Sequence, residues 1–445
     1  MLPRVTVPAG LARAAACLLL TLSAARAASD ADVRELIEEN RRLQEQVRAQ
    51  QRTIEELSGQ MTQVLKASER HEAALRSLQD QAPVAAGRGA SAQAEARSEV
   101  RVAAEIGFAY FKTGSEGQFP SGSFRADDPV ISLEAPVARR TYFYTELKLL
   151  PRDTNVEAFE LGELYVDFED VLGGVGQPGL LNVRVGRVNI PFGEEYLVRS
   201  PVSNPLISHS LSDIWGVDEG VEIYGRAGPF NYVVAAQNGG VSRLRDATSD
   251  KSVTARVGWS PVPWLHLSAS AMRTGNLDVV GDNLSEVWFA NGFFRALGPA
   301  ASTTTFWANL RQADAVGRWK TGHLGVSWGE ARFDDNDRLA NNARQMRYGH
   351  VEVVQDFADG WFAAARYSEI AAPGGYPLAG WGRMGAFFFR PVLTTGLQRL
   401  SLGLGYRLSA PVVLKVEYAS ESGRMTTGAT RDHENFFGSE LAVKF

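Results

Sequence analysis

The nine residues Phe437-Gly-Ser-Glu-Leu-Ala-Val-Lys-Phe445 constrain the fold more than any other stretch of this chain. Phe437, Leu441, Val443 and Phe445 share one parity, with small Ser439 among them, while Gly438, Glu440, Ala442 and Lys444 hold the other. Side chains of a strand point alternately to its two faces, so one face here is apolar and the other polar or small. A soluble protein rarely leaves such a face on a terminal strand. A barrel strand crossing lipid carries it by construction.

The period of two recurs along the chain. Val102, Ala104, Ile106, Phe108 and Tyr110 alternate with Ala103, Glu105, Gly107 and Ala109, and Val253, Ala255, Val257 and Trp259 with Thr254, Arg256 and Gly258. Leu400 to Leu408 and Val412 to Tyr418 repeat the pattern with glycine or charge on the second face. The expected fold is an all-β transmembrane barrel of antiparallel strands, lipid outside and water inside. Trp259, Trp264, Trp361 and Tyr418 fit an interface girdle and fit core packing equally well. Tight turns at 226–229, 260–263, 357–360 and 409–411 alternate with longer polar loops near 113–128, 189–218, 238–251, 275–300, 334–344, 371–396 and 422–434. That asymmetry gives sixteen strands between 102 and 445, enough to leave an aqueous lumen. The strand-like stretches 285–296 and 383–391 break the alternation if counted, so both are placed in loops at the pore mouth.

Residues 1–27 read as a signal peptide: Arg4 and Arg13 precede the apolar run Ala14–Leu22, and Ala25-Arg26-Ala27 fits a cleavage site. Cys17 is the single cysteine, so the mature chain is expected to contain none. No later stretch is apolar for the 18 or so residues of a spanning helix. Yet 43 glycines, 22 phenylalanines and 9 tryptophans suit an outer-membrane barrel or a secreted β-protein. A net charge of −5 argues against a nucleic-acid partner.

Within residues 28–80, Asp32 to Gln79 carries a heptad register. Val33, Asn40, Val47, Ile54, Met61, Ser68 and Leu75 occupy a, and Leu36, Leu43, Gln50, Leu57, Val64, His71 and Leu78 occupy d. Such a seam predicts a coiled coil and hence an oligomer. As a helix of some 48 residues it would span roughly 70 Å of periplasm, enough to reach toward the cell wall. Residues 81–100, rich in Ala, Gly and Ser, read as a linker to the barrel domain at 101–445.

The strand Leu181-Asn-Val-Arg-Val-Gly-Arg187 runs into Val188-Asn-Ile-Pro-Phe-Gly-Glu194 and a long loop. The loop returns through Asp218-Glu-Gly-Val-Glu-Ile-Tyr-Gly225. With Gly186 and Pro191-Phe192-Gly193 in place, this stretch resembles the phosphate-selective porin O/P family. The recognisable motif covers about 180–240. The resemblance implies a trimeric, sixteen-stranded porin in the outer membrane and leaves the cargo open.

Strand parity places Lys148, Arg184, Arg256, Arg311, Arg366, Arg407 and Lys415 toward the lumen, together with Glu105, Glu146, Glu163, Asp167, Glu222, Glu352 and Glu417. Seven bases against seven acids give no net anion funnel. Loop 189–218, with Arg199, His209 and Asp213, is the candidate constriction; an external loop at a subunit interface is the competing reading. His209-Ser210 and His266-x-Ser268 lack a signature of nucleophilic catalysis. Asp334-Asp-Asn-Asp337 lacks the spacing of a calcium loop. Neither a cofactor nor a metal is expected. The function expected is passive diffusion of small hydrophilic solutes or ions, anions such as phosphate included. The alternative is a structural barrel whose coiled coil tethers the outer membrane to the cell wall.

Overall fold

The structure, a computed structural model, describes residues 99–149, 159–173, 178–239, 249–279, 293, 303–337, 339, 342–387 and 393–445. The expected signal peptide and coiled coil, and nearly all of the expected linker, lie outside the described residues.

Among the described residues eighteen strands follow one another: β1 (Arg101–Thr113), β2 (Ser123–Ala138), β3 (Thr141–Leu149), β4 (Phe159–Phe168), β5 (Asn182–Asn189), β6 (Val217–Ala227), β7 (Phe230–Gln237), β8 (Ser252–Val262), β9 (Leu265–Arg273), β10 (Leu277–Asp278), β11 (Thr305–Trp319), β12 (Gly322–Asp335), β13 (Arg344–Asp356), β14 (Trp361–Tyr376), β15 (Thr394–Ser409), β16 (Val412–Met425), β17 (Thr430–Arg431) and β18 (Phe436–Lys444). β10 and β17 are two-residue pieces at loop bases, and the other sixteen form the wall. Each long strand pairs antiparallel with the next, and β1 pairs with both β2 and β18, so the sheet closes on itself. Closure removes the free edge that an open sheet would present to lipid.

Short turns join the strands on one rim, as at Ala227–Phe230 and Trp319–Gly322. In the turn before Trp361, Asp359 and Gly360 both take positive φ (62° and 85°), which glycine adopts at little cost. On the other rim the first long loop is shorter than expected. β2 begins at Ser123, and a bulge opposite Glu105 and Gly107, where Asp128 takes φ 42°, keeps the ladder going through 123–128.

The two faces follow the alternation. Phe108, Val257, Leu324, Leu402, Val416 and Phe437 are exposed on the outer surface, while Glu105, Ser401, Glu417 and Ala442 are buried inside. Trp259, Trp264, Trp361 and Tyr418 all lie exposed at between 42% and 58%, so they belong to the outer surface and not to a core. In β18, Leu441 pairs with Phe108 and Val443 with Ile106, which continues the outer apolar belt across the closing seam.

Toward the long-loop rim the rule inverts on one side. Phe306, Leu310, Phe333, Met346, Ile370 and Leu397 point inward and form one core with Ile190, Phe192, Leu211 and Ile214. Arg311, expected in the lumen, therefore lies on the outer face. Its neighbours Leu310 and Gln312 are buried inside, and it pairs across the ladder with Ala271 and Glu330. An apolar inner face at this height pushed the strand's parity opposite to the one expected from apolar-out alternation.

Candidate functional site

Residues 190–216 fold into the barrel and lie against its wall. The entry needs two glycines. Gly186 takes φ 139°, and a Cβ there would meet the Leu164 carbonyl oxygen at 2.3 Å; Gly193 takes φ 71°. The neck is closed by Ile190 N donating to Gly216 O at 2.8 Å. A short 3-10 turn, Glu195–Val198, starts the inward path.

The wall grips this loop largely through its backbone. Glu417 accepts from Ile207 N and Ser208 N, each at 2.7 Å, and Glu105 accepts from Val202 N at 2.7 Å. Lys415 Nζ donates to the carbonyls of Pro201 (2.6 Å) and Leu206 (3.1 Å). Arg366 donates to Ser208 O at 2.8 Å while pairing with Glu352, and Arg256 donates to Gly193 O at 2.9 Å. Glu163 accepts from Asn189 N at 3.0 Å, at the loop's base. A loop buried in a barrel carries backbone groups that must be satisfied, and ionised wall side chains do so with the stronger kind of hydrogen bond.

Two groups that sequence reasoning missed, one on the loop and one on the wall, complete the grip. Glu195 accepts from Ser210 N at 2.7 Å and lies 3.8 Å from His350 and 4.0 Å from Arg366. Burial alone would raise its carboxyl, but His350, Arg366 and the Ser210 hydrogen bonds outweigh that and hold it below the usual carboxylate range. The pair of glutamates after Pro191-Phe192-Gly193 was the available signal. Arg399, bonded to Glu421, donates to His209 O at 3.0 Å.

Arg199, His209 and Asp213 do come together. Arg199 is ion-paired with Asp213, and His209 Nδ1 lies 3.4 Å from Asp213 Oδ2, with Nε2 3.2 Å from Arg199 O. The Arg199 guanidinium also stacks 4.5 Å from the ring centroid of Trp215, which sequence reasoning did not single out. From the wall, Lys148 Nζ stands 5.2 Å from the same ring. Trp215 thus lies between one cation on the loop and one on β3. Arg199 and Trp215 line two cavities. One, of about 350 Å³, includes Glu105, Lys148, Tyr196 and Lys444; the other, of about 150 Å³, includes Phe119, His209, Trp381 and Arg399 on the long-loop side.

The remaining expected residues pair elsewhere on the inner wall. Arg184 lies 3.0 Å from both Asp167 and Glu222 and stacks on Tyr165 and Tyr224. Arg407 meets Asp356 at 2.6 Å near the short-turn rim. Lys148 differs from these bases: among the described residues no carboxylate oxygen lies within salt-bridge distance of it. The histidine–serine pairs separate. His266 bonds Glu194 and Ser260, Ser268 bonds Asp314, and Ser210 bonds Glu195. Asp335 and Asn336 cap a hydrogen-bonded turn with Thr303, Thr304 and Asn342.

No protein-family model matches the chain, and no curated protein matches it. Solved structures do. The outer membrane channel DcaP of Acinetobacter baumannii aligns with 79% of this chain and 98% of its own, at TM-score 0.52 and 12% identity. The trimer form of OmpT, an outer membrane protein of Vibrio cholerae, aligns with 78% of this chain and 99% of its own, at TM-score 0.51 and 11% identity. At such identities the likeness is one of fold: a closed outer-membrane-type barrel. The finer resemblance to the phosphate-selective porin O/P family rests on the motif around 180–240 alone.

Proposed function

We propose that the protein is an outer-membrane porin that passes small hydrophilic solutes or ions by passive diffusion and performs no chemical step. The observation that carries this reading is loop 190–216, held across the lumen by wall charges, with Trp215 between Lys148 and Arg199 at the junction of two cavities. A purely structural barrel has no need of a narrowing built from charged and aromatic groups. Arg311 lies outside the lumen, and most of the other bases and acids expected there are consumed in gripping the loop or in ion pairs, so the expected count of seven against seven overstates the field a solute meets. Lys148, lacking a carboxylate partner among the described residues, biases the narrowing toward anions, phosphate among them. Trimeric assembly in the outer membrane agrees with the OmpT trimer and with the coiled coil expected at 28–80.

Planar-bilayer recording of the purified full chain tests this. Stepwise conductance is expected, with a reversal potential displaced toward the anion equilibrium value under a salt gradient; absence of steps overturns the pore. The tether reading is separated by deleting 28–98, which should leave conductance intact if the barrel is a porin.

A further inference from the structure

We infer that the outer face of β9 and β11–β13, just above the apolar belt, binds the phosphate groups of outer-leaflet lipid head groups. The ladder brings four arginines together there. In one row Ala271, Arg311, Glu330 and Arg347 lie side by side across β9, β11, β12 and β13; in the next, Arg273, Asn309, Arg332 and Gln345 do. At about 4.8 Å between neighbouring strands, the four guanidiniums occupy a patch roughly 15 Å wide.

All four arginines are exposed. Glu330 is engaged by Arg332 at 2.5 Å and by Gln345 at 2.8 Å. Glu369, a nearby acid on β14, takes the Tyr367 hydroxyl at 2.9 Å, and Asp334, on the same face of β12 one row above Arg332, takes the Asp335 N–H at 2.9 Å, so four arginines face three acids. Arg273, Arg311 and Arg347 have no carboxylate oxygen within 4 Å among the described residues. The patch therefore carries an excess of positive charge, three of its guanidiniums presenting open forks, the geometry that receives a phosphate in two parallel hydrogen bonds.

Height decides the partner. Below the patch the outer face is Trp328, Val326, Leu324, Val351 and Val353, all exposed, and it ends at Trp319. From Trp319 to Arg311 the strand climbs roughly 20 Å along the membrane normal at about 3.4 Å per residue and a tilt near 40°. The arginines thus stand at the upper edge of an apolar band that is about 25 Å tall in such barrels. A soluble anion has no reason to meet them there, whereas a lipid whose chains lie on Trp328 and Val326 places its head group against them. Two phosphates on one glycolipid would span the patch.

The test uses the full chain in dodecyl maltoside micelles, titrated with diphosphoryl lipid A, with the same lipid stripped of both phosphates, or with inorganic phosphate, and read by native mass spectrometry. Lipid A adducts are expected to persist on the wild type, to fall at least about tenfold in the triple variant R273Q/R311Q/R347Q, and to return largely in the triple Lys variant. The dephosphorylated lipid should bind weakly, and inorganic phosphate should not displace lipid A at equal concentration. Equal lipid A binding by the Gln triple overturns the proposal, as does a Lys triple no better than the Gln triple. Equal binding of the dephosphorylated lipid, or displacement by inorganic phosphate, also overturns it. Bilayer conductance of the Gln triple, whose substitutions lie outside the lumen, reports that the barrel has folded.

Discussion

Glu417 on β16 receives both the backbone N–H and the hydroxyl of Ser208, so one buried carboxylate holds two polar groups of a loop more than two hundred residues away in sequence. The two residues define how the inward loop is fastened: charge on the wall, backbone on the loop.

Glu417→Ala leaves Ile207 N and Ser208 N without their acceptor inside the barrel. An unsatisfied buried donor costs about 1–3 kcal/mol. The expected outcome is a noisier channel with larger open-state conductance, while the outer face and ladder are untouched. Single-channel recording beside thermal unfolding in detergent checks it; a quiet channel of wild-type conductance contradicts the anchoring role.

The Glu195 contact gives a pH dependence of definite sign. Its folded carboxyl titrates below the usual range, so the stabilisation is fully present above the ordinary glutamate value, about pH 4.3. It is lost as the pH falls through the lower folded value. Gating noise should therefore rise on acidification below about pH 4. Glu195→Gln should be noisier than wild type at neutral pH and change less on acidification. Recordings at stepped pH decide this.

Trp215→Ala removes the ring that Lys148 and Arg199 share, contacts worth about 0.5–1 kcal/mol each at partly wet sites. Conductance should rise. Lys148→Gln should instead leave conductance near its original value and move the reversal potential toward cations. A shift in the opposite direction would remove Lys148 from the conduction path.

On the outer belt, Leu402→Arg places a guanidinium against hydrocarbon and should cost about 2–4 kcal/mol. Denaturant unfolding from phospholipid vesicles measures it. A cost near zero would put Leu402 outside the lipid-facing band.

Much of the barrel was legible because alternation is a local signal. Phe437 to Phe445, Leu400 to Leu408 and the turns at Arg226 and Phe357 could each be read without knowing their partners. Arg311 shows where that signal ends. Near the long-loop rim its strand turns the apolar Phe306, Ala308 and Leu310 inward onto a core with Ile190, Phe192 and Leu211 and leaves Asn309 and Arg311 outside, and only the loop's position decides which way it points. The roles of Lys415, Glu417 and Arg366 were hidden for the same reason: parity says that they point inward, but not that a loop is waiting there. Trp215 carried no signal, since its meaning depends on Lys148 lying opposite it.

The inward loop also crosses the place where the cylinder is joined. Val202 is bonded to Glu105 on the first strand, Ile207 packs with Phe436 from the last, and Gly438 leaves room for it, as a Cβ there would stand 3.1 Å from the Ile207 Cδ1. It works as an internal stitch over the seam between β1 and β18. A barrel that joined its ends one residue out of step would turn Glu105 or Phe436 toward lipid and offer the stitch nothing to catch, so seating of the loop reports that the ends have met in register.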